Sequence, residues 1–287
     1  MVKDKLILVK GAGDFSSGSI RRLHLAGAKV VCTELPKPLT IRRKVAFSEA
    51  MYEGEHTIDN ISAVRTTPEN IDEVLASGKI PVLNDPETNI LNQFQFDIVI
   101  DARMIKRNIG TKITEAPIVI GLGPGFSAGT DCHAVVETLA GHNLGRVIYS
   151  GTPAKDTGVP VLTDLSLSQS QEPCGAGFEP CCSGFDVNTL VLRSPDDGYF
   201  KSEKKIGDQV KTGDIIGKVN DQDVVATTNG VLRGLIHNGI QVTSNLKIGD
   251  IDPSGDVSRV SQISEKANAI AGGVLEACLF LLNRGTK

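Results

Sequence analysis

The chain has 287 residues, with 30 Lys and Arg against 34 Asp and Glu, for a formal net charge of −4. That length suits two domains of ordinary size, and 40% hydrophobic with 22% charged residues supply real cores and exclude global disorder. An acidic chain with 4% aromatics and no Lys/Arg stripe has little with which to grip a phosphate backbone or stack on bases, so no nucleic-acid partner is expected. Its apolar runs are too short or too interrupted to span a bilayer, and the first residues lack the apolar core of a secretory signal; a cytoplasmic protein without a membrane partner is expected.

The first half predicts an α/β unit with a Rossmann-like, mostly parallel sheet. An apolar run at residues 6–9 leads into Gly11-Ala12-Gly13-Asp14-Phe15-Ser16-Ser17-Gly18 and then a helical stretch closed by Ala26-Gly27. A second β-branched run, 30–33, ends at Glu34, where dinucleotide-binding folds place the acid that holds a ribose hydroxyl. Gly11 permits the tight turn, Gly13 lets a phosphate approach the backbone, and the first amides of the helix donate along its dipole. Ser16 stands where the third glycine is usual; it and Ser17 carry hydroxyls suited to capping the helix or donating to a phosphate. The plain alternative is a β-turn-α without a ligand.

Short strands follow at 64–66, 81–83, 98–100 and 117–120, with a helix-like stretch at 68–76. Such alternation predicts a parallel sheet whose ligand sits at the carboxyl ends of the strands. Those ends carry Gly11, Gly13, Asp14, Ser16, Glu34, Asp101, Arg103, Gly121, Gly123 and Gly125, which form the candidate cofactor-binding set. The second glycine loop is read either as a cradle or as a sharp crossover turn. The triplet Arg42-Arg43-Lys44 is read as a solvated helix face, with phosphate neutralisation as the alternative. His133, Glu137 and His142 are the catalytic candidates. His133 and Glu137 stay together whether residues 131–139 form a strand or a helix, although no metalloprotease spacing is present and hydrogen bonding around a hairpin at 141–145 is the simpler role.

The second half contains a repeat. Gly198, Gly207, Val210, Ile216 and Gly217 recur as Gly230, Gly239, Val242, Ile248 and Gly249, each displaced by 32 positions. Asn245 replaces Gly213 where a left-handed turn residue is wanted. The duplicated β unit resembles the flattened barrel of biotinyl and lipoyl carrier (hammerhead) domains. Its joint at 219–224 has no lysine to modify, which favours a docking barrel over a swinging-arm carrier.

Ala267, Ile270, Ala271, Val274, Leu275, Cys278, Leu279 and Leu282 make an i, i+3, i+4 stripe bounded by Ser264 and Gly285, so an amphipathic closing helix is predicted. Gly272-Gly273 inside it costs about 1 kcal/mol per glycine relative to alanine, which points to a close approach of backbone. Between the halves lies a Ser/Gln-rich linker with Cys174, Cys181 and Cys182, candidates for a metal, redox or chalcogen role beside the reading of an incidental loop. The expected domains are residues 1–160, a connector 161–186, a barrel 187–255 and a helix 256–287 packing on the core.

The segments Gly11-Ala12-Gly13-Asp14, Arg21-Arg22-Leu23-His24-Leu25-Ala26-Gly27, Asp101-Ala102-Arg103, Gly121-Leu122-Gly123-Pro124-Gly125-Phe126, Gly141-His142-Asn143-Leu144-Gly145-Arg146, Lys247-Ile248-Gly249-Asp250-Ile251-Asp252-Pro253 and Ala269-Ile270-Ala271-Gly272-Gly273-Val274 resemble the YqeB family. That resemblance runs along nearly the whole chain and implies an accessory or maturation factor of selenium-dependent molybdenum hydroxylase systems. It implies as partners the hydroxylase or its other maturation factors, and as ligand a nucleotide-bearing cofactor such as molybdopterin dinucleotide. The Ser/Gln/Cys segment departs from the family pattern. Two other readings are an NAD(P)-dependent oxidoreductase with His133 or His142 as proton donor, and an interaction scaffold without a ligand.

Overall fold

A computed structural model describes residues 1–155 and 190–284. Nine strands form one sheet: β1 (Leu6–Lys10), β2 (Lys29–Glu34), β3 (Glu55–Ile58), β4 (Ile61–Thr66), β5 (Ile80–Asn84), β6 (Ile98–Asp101), β7 (Ile118–Leu122), β8 (Ala134–Val136) and β9 (Val147–Ile148). Their spatial order is β3-β4-β5-β2-β1-β6-β7-β8-β9. From β4 across to β8 every neighbour is parallel, and the edge strands β3 and β9 are antiparallel.

The apolar runs are continuous because both faces of this sheet are buried. Ile7, Val9, Val30, Cys32, Ile98, Ile100, Ile118 and Ile120 enter one core layer. Their immediate neighbours Leu8, Val31, Val99 and Val119 enter the other, as the two-residue period of a strand requires.

Helix α1 (Asp14–Leu25) joins β1 to β2, and α3 (Ile71–Ala76) joins β4 to β5; α2 (Ala50–Glu53) is a single turn before β3. The alternation of strands and helices expected from the sequence stops there. β6 reaches β7, and β7 reaches β8, through irregular segments at 102–117 and 123–133. The missing cover comes from the end of the chain: α4 (Glu265–Arg284) returns to lie beside α1 over β7, β8 and β9, and Ile270, Val274, Ala277 and Cys278 join the core of that face.

Glycines set how closely α4 seats. A methyl on Gly18 of α1 would stand 2.7 Å from the Ala267 carbonyl oxygen, and one on Gly273 would overlap the Gly145 carbonyl. The two helices run parallel, with Phe15 beneath the Lys266 ammonium at 4.8 Å and Arg22 beside Gly272, so both N-termini face the same end of the molecule.

The second unit has strands β10 (Val191–Arg193), β11 (Gly198–Lys201), β12 (Gln209–Val210), β13 (Ile215–Val219), β14 (Gln222–Val225), β15 (Gly230–Leu235), β16 (Gln241–Val242) and β17 (Lys247–Asp252). They make two four-stranded antiparallel sheets, β10-β17-β15-β12 and β14-β13-β11-β16, around one apolar core. The 32-residue repeat maps β11, β12 and β13 onto β15, β16 and β17. Each repeat gives its short middle strand to the other's sheet, β12 pairing with β15 and β16 with β11, so neither repeat closes a core alone. Asn245 takes the left-handed conformation (φ +66°) that Gly213 takes (φ +93°) in the first copy.

The paired glycines of α4 give opposite expectations. Gly273→Ala forces the helix off the Gly145 turn and should cost about 1–3 kcal/mol, as overpacking does. Gly272→Ala meets only the end of the flexible Arg22 side chain, 3.3 Å away, and should gain up to about 1 kcal/mol of helix propensity. Urea unfolding of the two variants checks the contrast; equal effects would show that α4 is not seated through Gly273.

Candidate functional site

The parallel strand order reverses at β1: the chain first moves outward to β2 and β5, then crosses back to add β6 on the other side. Loops leaving β1 and β6 therefore diverge and open a crevice, the usual ligand position in such sheets. A cleft of about 590 Å³ lies there, lined by Gly11, Gly13, Asp14, Ser16, Glu34 and Arg103 among others.

Gly11 turns the chain at φ +90°, its amide donating to the Thr33 carbonyl at 2.8 Å, and a methyl on it would press on the Arg103 backbone. Gly13 caps α1 with no side chain closing the helix end. A methyl there would find only Thr40 Oγ1, at 3.5 Å, so the space in front of the first turn is open. The hydroxyls of Ser16 and Ser17 are turned inward. Ser16 donates to the Gly13 carbonyl at 2.9 Å and Ser17 to the Ala12 and Gly13 carbonyls, while Ser17 accepts from the Phe47 amide. They shape the loop rather than cap the helix.

Glu34 reaches back to the glycine turn, Oε2 accepting from the Ala12 amide and Oε1 from the Leu35 amide, both at 2.8 Å. Burial raises its pKa and those two amides oppose the rise. Asp14, at the helix start, is likewise pushed up by burial, with Arg42 opposing. Leu35 and Leu39 on one side, Ile105 and Ile109 on the other, stand between 39% and 48% exposed and all line the cleft. These four side chains give the cleft an apolar lining.

Asp101 lies beneath the cleft lining and supports it. Its carboxylate accepts from Arg103 Nη2 at 2.5 Å and Nε at 3.1 Å and from Thr111 Oγ1 at 2.6 Å. Lys10, buried beside it, donates to Thr111 and to Glu115 at 2.6 Å. Desolvation lowers the Lys10 pKa and Glu115 opposes this. The network presents the Arg103 guanidinium to the cleft floor in one orientation.

The second glycine loop is filled by protein. Methyls on Gly121, Gly123 and Gly125 would collide with the Phe126 ring, Thr138 and the Arg107 backbone respectively, so this loop is a packed crossover turn and its glycines do not line the cleft. The catalytic candidates also lie elsewhere. His133 Nδ1 accepts from the Val119 amide at 3.0 Å, and burial lowers its pKa. Glu137 accepts from the Thr138, Leu139 and Ala154 amides. Both flank strand β8, and the 141–145 turn joins β8 to β9 as an antiparallel hairpin. His142 is exposed and lines a different cavity.

Among the described residues no group of three His, Cys, Asp or Glu is arranged to hold a metal, and no helix is long and apolar enough to cross a membrane. Cys32, Cys132 and Cys278 are buried thiols, those of Cys132 and Cys278 pushed up by burial to about 12. Cys174, Cys181 and Cys182 lie outside the described residues.

Of the basic triplet, Lys44 is exposed, as a solvated face requires, but Arg42 and Arg43 are not. Arg42 pairs with Asp250 of β17 through Nε at 2.9 Å and Nη2 at 2.8 Å, and Arg43 donates to the Leu235 carbonyl and to Glu49. Glu49 also holds His237 at 2.8 Å, whose ring stacks on Tyr52. These contacts pin the two units together, and sequence separation of 208 residues between Arg42 and Asp250 hid them.

No family model matches the chain. The uncharacterized protein YqeB of Escherichia coli strain K12 is 40% identical over 284 residues, which cover 99% of this chain and 49% of that protein. The chain belongs to the YqeB family. It spans about half the length of that YqeB relative. Crystal structures of an aspartoacylase family protein from Mesorhizobium loti and of succinylglutamatedesuccinylase/aspartoacylase from Rhodobacter sphaeroides align with 87% of the chain and 85% of theirs, at 13% and 14% identity and a TM-score of 0.25 each. Scores at that level carry no inference about fold or chemistry.

Removing Arg42 leaves the buried Asp250 carboxylate with Lys247 as its remaining ion-pair partner among the described residues and Arg233 as a more distant cation. Burial opposes ionisation of Asp250, yet Arg42 and Lys247 outweigh it and hold the carboxyl below its ordinary range. A depressed carboxyl contributes stability above its unfolded pKa, near 3.9, and loses it as pH falls through the folded value. Arg42→Ala should therefore cost about 3 kcal/mol near neutrality, the gap to wild type narrowing in acid, with Asp250→Asn recovering part of the loss. Urea unfolding across pH checks this; a gap constant down to low pH would deny the pair its role.

Proposed function

We propose that this YqeB-family chain binds a nucleotide-bearing cofactor in the β1–β6 cleft and serves as an accessory or maturation factor for a selenium-dependent molybdenum hydroxylase. A molybdopterin dinucleotide is the ligand class of choice. The observation that carries the ligand reading is the open cradle at Gly13: an uncapped helix N-terminus, a turn built on Gly11 and Gly13, and open space in front of it, where a methyl on Gly13 would find only Thr40 Oγ1, at 3.5 Å. The order β5-β2-β1-β6-β7-β8 is that of doubly wound dinucleotide-binding sheets, which supports a Rossmann-like assignment.

The residues present suit such a ligand. Gly11 and Gly13 with the first amides of α1 would hold a phosphate, Glu34 a ribose hydroxyl, Arg103 a further oxyanion, and the Leu35, Leu39, Ile105 and Ile109 walls a base or pterin ring. The paired antiparallel sheets read as a small biotinyl/lipoyl-like barrel used for docking rather than as a carrier. The hydroxylase assignment rests on the family resemblance. The NAD(P)-dependent oxidoreductase reading is weaker because neither His133 nor His142 lines the cleft. A scaffold without a ligand would leave the cradle unexplained.

Anaerobic purification followed by absorption spectroscopy and analysis of extracted small molecules identifies the ligand, and titration with a molybdopterin nucleotide against NAD(P)H separates the readings. Gly13→Ala fills the cradle without touching the fold, since its nearest new contact is an ordinary 3.5 Å. It should weaken nucleotide binding about tenfold or more, the loss of a charge-assisted contact, with an unchanged melting temperature. Undiminished binding in Gly13→Ala would remove the phosphate from this loop.

A further inference from the structure

A second cavity, about 710 Å³, lies where three parts of the chain meet: the 141–144 turn of the large sheet unit, Arg233 of β15 with Arg259 beyond β17, and the start of α4 at Ser264 and Glu265. Its guanidinium groups are poorly satisfied. Arg233 has a side chain only 18% exposed, yet its nearest carboxylate oxygen, Asp252 Oδ2, is 3.8 Å away, beyond hydrogen-bond reach. Arg259 approaches the same oxygen at the same 3.8 Å and Asp256 at 3.6 Å. Asp252 is itself 8% exposed and is shared loosely by two cations. No Arg233 nitrogen is both sealed from solvent and without a partner, so the donors of its fork that Asp252 does not take are open to the cavity. Burial, with Arg42 close by, also lowers the Arg233 pKa, and Asp250, Asp252 and Glu265 oppose that.

Other donors converge on the same space. Ser264 Oγ accepts from the Ala267 amide at 3.2 Å, which directs its own proton away from the helix. His142 projects from the exposed turn, and the first turn of the 20-residue α4 adds its dipole. Glu265 is the one acid in the lining. Guanidinium, hydroxyl and imidazole donors from separate elements suit a tetrahedral oxyanion, with three corners taken and one left to carry an ester.

We propose that this junction is a binding site for a phosphate-bearing small molecule, held by Arg233 and Arg259 with Ser264 and His142. It is separate from the β1–β6 cleft and does not rest on the nucleotide reading of it. Because the site is built from both units and α4, its ligand would report on, and tighten, their docking.

Isothermal titration of the full chain with inorganic phosphate at constant ionic strength tests the site, with acetate as the planar control. Binding at millimolar concentrations or tighter is expected, weaker for acetate, and reduced about tenfold by Arg259→Gln and by Arg233→Gln, while Gly13→Ala leaves it unchanged. Arg259 is half exposed, so its variant keeps the test interpretable if Arg233→Gln fails to fold. No phosphate binding, acetate binding as tightly, Arg259→Gln binding like wild type, or loss of binding in Gly13→Ala would each overturn the proposal, the last by moving the phosphate to the first cleft.

Discussion

A parallel sheet buried on both faces has to be covered on both faces, and here the chain reaches β8 before it has supplied enough helix to do so. The segments after β6 and β7 are irregular, and among the described residues the layer beside α1 over β7 and β8 is closed by α4, from the far end of the chain. That cover requires the start of α4 to return beside the start of α1. That requirement places the second unit, fixes the parallel run of α1 and α4, and brings two helix N-termini to one side of the molecule. Two cavities follow from it, one at the start of α1 and one at the start of α4.

The repeat in the second unit answers a related constraint. Each copy supplies three strands, too few to bury a core, and the exchange of β12 and β16 makes the two copies mutually dependent. Its outer surface then meets the segment after β2 through a polar seam: the Leu235 amide donates to the Ile41 carbonyl, and Arg42 and Arg43 enter the second unit. Asp250 Oδ1, buried without a hydrogen-bond partner, shows that this seam is held by ion pairing more than by complete satisfaction. Such seams are sensitive to loss of one partner.

Strands and turns were legible in the sequence because their causes are local. Apolar runs mark β1, β2, β6 and β7, the positive φ at Gly11 follows from the residue type, and the 32-residue displacement exposes the duplication. The short antiparallel edges β3 and β9 carry no comparable run. The fates of polar side chains were less legible, because they depend on partners far along the chain. Glu137 next to His133 suggests acid–base chemistry by composition, but three backbone amides arriving from the loops at 138, 139 and 154 use the carboxylate structurally. Gly121, Gly123 and Gly125 have the composition of a cradle, and only the return of Phe126, Thr138 and Arg107 shows it to be filled. In the first loop the same question has the opposite answer at Gly13, where nothing returns.

Glu34 connects this packing to ligand choice. Each of its oxygens accepts one backbone amide, from Ala12 and from Leu35, so the carboxylate is pinned on the turn. An ionised carboxylate has about four lone-pair sites, which leaves each oxygen one more for a ribose hydroxyl without breaking what is already made. A 2′-phosphate would meet that carboxylate, and Arg103, the cation in the cleft lining, is already paired with Asp101. Two of the three cations in the triplet that follows β2 are engaged elsewhere, Arg42 on Asp250 of the second unit and Arg43 on Glu49 and the Leu235 carbonyl. For the proposed nucleotide, a free ribose diol is thus favoured by the same side chains that dock the two units, and freeing Arg42 or Arg43 to serve a phosphate would come at the expense of the seam.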